Sequence, residues 1–218
     1  MPTRPSISCS DCGLLNCYRH DKRFPDFCLT KGADHEAVRK ISRRYRGRNP
    51  DAVIARAAAE VEGVYYGKLT RVEEIIAFAN RISAKRIGIA TCIGLIQETR
   101  VFVKVLKAHG LLPYTVLCKV GSVDKTEIGI PDELKVKKGS YEAICNPILQ
   151  ARLLNAQKTD LNVIVGLCVG HDSLFIKYSD APVTTLITKD RVLGHNPAAA
   201  LYTSNFYYQR LFQPGQKL

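Results

Sequence analysis

Four short runs of branched apolar residues constrain the fold of this chain more than any other feature: RIGIATC (86–92), PYTVLCKVG (113–121), LNVIVGLCVG (161–170) and PVTTLITKD (182–190). Runs this apolar predict strands buried on both faces. Between them the period becomes helical: GLIQETRVFVKVLKAHG closes on Gly110, NPILQARLLN opens at Asn146, and HDSLFIKYS opens at His171. Strand and helix in alternation predict an α/β fold, a Rossmann-like parallel sheet with flanking helices on both faces and right-handed crossovers. The charged, turn-rich stretch 121–140 predicts a surface excursion or small hairpin.

In open parallel sheets, ligands bind beyond the carboxyl ends of the strands. Cys92, Cys118 and Cys168 all fall at or near such ends. Cys145 reaches the same edge by another route, because Asn146 as a cap and Pro147 in the first turn leave its thiol just outside a helix N-terminus, where thiolate is favoured. HNPAAAL repeats the device with His195 in place of the thiol, and Lys119 and Lys189 add positive charge near two strand ends. Any one of these cysteines reads equally well as a small buried hydrophobe. Four at one edge, each beside a glycine or a helix start, point instead to thiolates that converge on a cofactor or substrate. Cys92, Cys118, Cys145 and Cys168 are thus candidate cofactor ligands. Cys145, His171, Asp172, Lys119 and His195 are candidates for nucleophilic, acid–base or charge-stabilising work.

The other four cysteines lie together near the N-terminus. Cys9-x2-Cys12 followed by Gly13 has the form of a metal knuckle, and Cys17 and Cys28 complete four soft ligands, with His20 or His35 as substitutes. The segment 1–33 is poor in periodic apolar pattern and is expected to need such a staple. It reads as a small Cys-rich metal-binding module ahead of a domain spanning 34–218. Only one Cys pair is closely spaced, so both zinc and an iron–sulfur cluster stay open. Within the second region, Asn49 or Asp51 with Pro50 predicts a helix start, and Thr70 with Glu73 predicts a capping box.

Eight cysteines without an export signal read as reduced thiols of a cytoplasmic protein, and no run approaches the roughly 18 apolar residues of a membrane span. The net charge is +12, with its one real cluster in RKISRRYRGR, Arg39 to Arg48. As a helix this segment spreads cations around its circumference and leaves Val38, Ile41 and Tyr45 for packing. With no aromatic-interleaved stacking motif beside it, it reads as a solvated face, and a small-molecule substrate or redox partner is expected in preference to nucleic acid. Gly94 stands alone where a dinucleotide fingerprint would need three glycines, which weighs against a nicotinamide or flavin cofactor.

CSDCG, TRVEEIIAFA, RIGIATCIGLIQE, VLCKVGSVDK, CNPILQARLLN and the block from LNVIVGLCVGHD to GHNPAAALY together resemble an uncharacterised prokaryotic family, domain of unknown function eighteen forty-seven, described as cysteine-rich and metal-binding. The resemblance runs from Cys9 to about Tyr208 and implies metal at the cysteines, without a known reaction. Three functions follow. The first is an iron–sulfur protein with its cluster at the strand ends and zinc or a second cluster at the N-terminus. The second is a thiol-dependent enzyme with Cys145 as nucleophile and structural zinc alone. The third is a zinc-stabilised, non-catalytic binding module.

Overall fold

Alternating strands and helices make up the computed structural model of the chain, which describes residues 7–19, 21–213 and 215. The helices are α1 (Asn16–Arg19), α2 (Leu29–Gly32), α3 (His35–Arg44), α4 (Pro50–Tyr65), α5 (Arg71–Arg81), α6 (Ile96–Ala108), α7 (Pro147–Ala156), α8 (His171–Tyr178) and α9 (Ala198–Tyr202). The strands are β1 (Arg86–Thr91), β2 (Leu112–Leu117), β3 (Leu161–Val165) and β4 (Val183–Ile187). The chain divides into two compact units after Glu60. The Cys-rich segment and α3 share the first, and the sheet lies in the second.

All four strands are parallel, in the order β2-β1-β3-β4. From β1 the chain steps outward to β2, then returns past β1 to β3 and on to β4. Steps in opposite directions keep right-handed crossovers only if their helices lie on opposite faces. The core follows that requirement. Ile87, Ile89, Val163 and Val165 pack with Ile75, Ile76 and Ala79 of α5 and Phe102 and Leu106 of α6. Ala90, Val116 and Ile164, on the other face, pack with Ala151 and Leu154 of α7 and Phe175 of α8.

Local signals set the helix starts. Thr70 and Glu73 form the reciprocal capping box, Asn49 Oδ1 accepts from the Ala52 N–H at 3.0 Å, and Asn146 Oδ1 accepts from the Leu149 N–H at 3.1 Å. Gly110, at φ +73°, turns the chain out of α6. The excursion after β2 pins itself: Asp124 pairs with Ala143 in an isolated antiparallel bridge, and the buried Lys135 ammonium lies 2.9 Å from Asp124 and 3.3 Å from Asp132. In α3 the expected packing stripe of Val38, Ile41 and Tyr45 is exposed, and Arg39, Lys40, Arg43 and Arg44 lie together on the opposite side of the helix rather than around its circumference. Among the described residues no helix is long and apolar enough to cross a membrane.

Candidate functional site

The reversal of strand order lies between β1 and β3, and the thiols gather beside it. Thr91 stands opposite Leu117 in the parallel register, and the Cys118 N–H donates to Thr91 O at 2.8 Å. Cys92 and Cys118 therefore sit side by side one step beyond the sheet, on the face covered by α7 and α8, with exposures of 6% and 1%. Cys145 joins them through its neighbour: the Asn146 N–H donates to Cys118 O at 2.7 Å, which holds the start of α7 against the end of β2. The Cys118 thiol consequently interacts with both the Cys92 and the Cys145 thiol.

Peptide dipoles and cations surround this trio. The Ile93 N–H donates to Cys118 Sγ at 3.4 Å, and the Gly94 N–H points to the Cys92 sulfur. A Cβ on Gly94 would lie 3.2 Å from Lys189 Nζ and 3.9 Å from Cys92 Sγ, so the glycine leaves room for the ammonium beside the thiol. The Cys118 thiol, acting as a hydrogen-bond donor, lowers Cys92 to about 5, with the Gly94 N–H and Lys189 assisting against the cost of burial. Cys145 is likewise lowered to about 5, first by Cys118 and then by Lys119 and His171. Cys118 is raised, because its proton serves Cys145 and Cys92 and because it is buried. The outer thiols thus ionise first and the middle one keeps its proton.

Other expected residues stand further out. Cys168 lies three residues past β3, beyond Gly166 at φ +69°, and its sulfur accepts from Arg191 Nη2 at 3.1 Å. Arg191 is raised chiefly by that contact, and the charges of Cys92 and Cys145 add to the effect, so it links Cys168 electrostatically to the trio. His171 opens α8 and leaves Nδ1 buried without a partner. Asp172 Oδ1 accepts from the Ser173 N–H at 2.8 Å, and Lys119 Nζ donates to Ala143 O at 2.6 Å. His195 takes φ +68°, and its Nδ1 accepts from the Asp190 N–H at 3.1 Å, so its ring holds a turn. The helix start expected there differs too, with Pro197 rather than Asn196 at the N-cap of α9 and no side-chain cap bond.

Sequence reasoning missed Arg191, the two peptide N–H donors after β1, and Gln150. Gln150, fully buried on α7, donates from Nε2 to Val116 O at 2.7 Å and Thr91 O at 3.3 Å, while its Oε1 is buried without a partner. Arg191 follows β4 at the same sheet edge, and that position was its one available signal.

In the N-terminal unit Cys9 and Cys17 are exposed and Cys12 and Cys28 half-buried. Cys28 caps α2, and its thiol is lowered first by the Lys31 N–H. His35 opens α3 next to its cap Asp34; His20 lies outside the described residues. Among the described residues no three His, Cys, Asp or Glu side chains converge to hold one metal ion. A cluster asks for something else, since its thiolates bind different irons and its negative charge is balanced by N–H donors and cations. The thiols with such N–H groups and cations beside them are Cys92, Cys118 and Cys145.

Residues 28–186 match the family described as protein of unknown function (DUF1847). The matched span includes all four rim cysteines and leaves out Cys9, Cys12 and Cys17. An uncharacterised protein of Methanocaldococcus jannaschii is 44% identical over 207 residues, covering 95% of this chain and 99% of the relative. No solved structure matches.

Proposed function

The chain belongs to the DUF1847 family, which brings no reaction with it, and from the chemistry of the site we propose that the rim thiols hold an iron–sulfur cluster used in redox or Lewis-acid chemistry on a small substrate. The observation that carries this reading is the meeting of Cys92, Cys118 and Cys145, from three separate segments, inside a shell of peptide N–H groups and cations. Cys92, Cys118 and Cys145 would be ligands, with Cys168 as the fourth. Bound there, a cluster supplies either an electron-transfer centre or, at an iron without a protein ligand, a Lewis acid.

The protein's own groups have definite work around it. The Ile93 and Gly94 N–H groups stabilise negative charge on Cys118 and Cys92, as Lys189 does at Cys92 and Lys119 at Cys145. Arg191 bonds Cys168 from the open side. His171, with Nδ1 unpartnered beside Cys145, is placed to bond a substrate or move a proton, with Asp172 next to it in the chain. The N-terminal Cys9, Cys12, Cys17 and Cys28 take zinc or a second cluster in this reading, which requires their side chains to close on the metal from positions that do not converge in this structure. Protein purified without oxygen should be brown and contain iron and acid-labile sulfide, and Cys118→Ala should lose the rim share of both. Colourless protein with zinc alone would remove the proposal.

A second reading rests on Cys145 itself: a half-buried thiol at the start of α7, flanked by Lys119 and His171, is a competent nucleophile with only structural zinc elsewhere. Selective alkylation of Cys145 in colourless, iron-free protein would favour this over the cluster. Equal inertness of all four rim thiols would count against it.

A further inference from the structure

Cys118 shares one buried cluster with Cys92, with Cys145 packed against it, and has one sulfur to bond with. We infer that in the cluster-free chain Cys118 is a shared resolving thiol, closing a disulfide with Cys92 across the ends of β1 and β2 or, in its place, with Cys145 at the start of α7. This concerns the same residues as the proposal above but does not depend on a cluster ever being bound.

Register supplies the geometry. A disulfide needs Cα atoms about 4.4–6.8 Å apart, and neighbouring strands run about 4.8 Å apart. Cys92 and Cys118 each follow a register pair, Thr91 and Leu117, and the Cys118 N–H still bonds Thr91 O, so the strand spacing persists one step past the sheet. Register partners in a parallel pair leave the sheet on the same face, and these two thiols share one apolar cluster with Ala90 and Val116. Cys145 precedes the residue whose N–H bonds Cys118 O, which brings the second partner to the same sulfur. Cys168 is occupied by Arg191, and all eight cysteines are free thiols.

A small organic disulfide is a sufficient oxidant. The Cys92 or Cys145 thiolate attacks it, forming a mixed disulfide and releasing one small thiolate, which takes the Cys118 proton. The Cys118 sulfur then displaces the second small thiolate, which is protonated by solvent. Two electrons pass from the protein sulfurs to the small disulfide, which becomes two thiols. The closed bridge removes two thiolates from the donor set, so cluster and disulfide exclude one another.

Peptide mapping reads the outcome directly, because Lys and Arg at 86, 100, 107, 119, 138, 152, 158 and 177 let trypsin put each rim thiol on its own peptide. Full-length protein, stripped of metal under anaerobic conditions and reduced, is equilibrated with oxidised glutathione, quenched in acid, alkylated and digested. Bridges 92–118 and 118–145 are expected, with none joining 92 to 145. Cys92→Ala should keep 118–145, Cys145→Ala should keep 92–118, and Cys118→Ala should leave Cys92 and Cys145 glutathionylated without a bridge. A dominant 92–145 bridge, or Cys118 still open to alkylation after wild-type protein has reached equilibrium, overturns the inference. If Cys118→Ala does not fold, the other two variants decide. Iron and sulfide are assayed on a separate anaerobic preparation, so absence of a cluster and absence of a bridge are read independently.

Discussion

At the scale of single residues the site turns on one proton, that of the Cys118 thiol, for which Cys92 and Cys145 compete. The depressed Cys145 predicts a reactivity profile. In cluster-free protein its alkylation by iodoacetamide should rise through about pH 5 and level off by neutrality, since only the thiolate attacks. Lys119→Gln should move that midpoint upward. A wild-type midpoint between about 8 and 9, the ordinary thiol range, would show that the shell does not act on Cys145. In the sequence Gly94 stands out only as the remnant of a missing fingerprint. Its use is to give Lys189 access to Cys92, and nothing in its sequence neighbours signals that, because Lys189 arrives from beyond β4.

At the scale of elements the sheet depends on two close fits. Gly88 faces Asn162 across β1 and β3, and a Cβ there would collide with Asn162 Oδ1, which already accepts from Thr159 Oγ1 at 2.8 Å. Gly88→Ala should cost about 1–3 kcal/mol of unfolding free energy in urea titration, as overpacking of a filled core does. Gln150 fastens α7 to the ends of β1 and β2 directly behind the thiols. Gln150→Leu should destabilise by about 1–3 kcal/mol through the lost bonds to two buried carbonyls. A change within error would mean that those carbonyls find other donors.

The excursion after β2 adds a pH prediction. Asp124 is held well below the usual carboxylate range, first by the Thr126 N–H and then by Lys135, the Thr126 hydroxyl and the Glu142 N–H. A depressed folded value means that the stabilisation is fully present above the unfolded value of about 3.9 and is lost as pH falls below it. Hydrogen-exchange protection at Thr126 and Glu142 should therefore weaken between pH 4 and 2 before the strands lose theirs. Uniform loss across loop and strands would contradict this local account.

At the scale of the whole molecule the two units differ in what can hold them. Between residues 7 and 49 only Asn16 is buried among the described residues, whereas the sheet unit has an apolar core on each face. A segment with so little apolar burial cannot offset its chain entropy unaided. Removing metal with a chelator should therefore raise amide exchange across 9–44 and leave β1 and β3 protected. Unchanged exchange at the N-terminal unit would argue that Cys9, Cys12, Cys17 and Cys28 carry no structural metal.

Much of this architecture was legible from residue order. Strand runs, the helix starts at Thr70 and Asn146 and the placing of cysteines at one sheet edge are short-range properties, set by branched side chains, caps and the direction of parallel strands. Which thiols touch was not legible. Cys92, Cys118 and Cys145 meet because the register sets Thr91 against Leu117 and one backbone bond ties Asn146 to Cys118, while Cys168, as apt by sequence, follows the left-handed turn at Gly166 and accepts from Arg191. Likewise His195 holds a turn, and the path after β4 brings Arg191 to a thiol. Strand order and register are settled by how apolar faces pack over the whole sheet, so contacts between segments tens of residues apart exist only once that packing has formed.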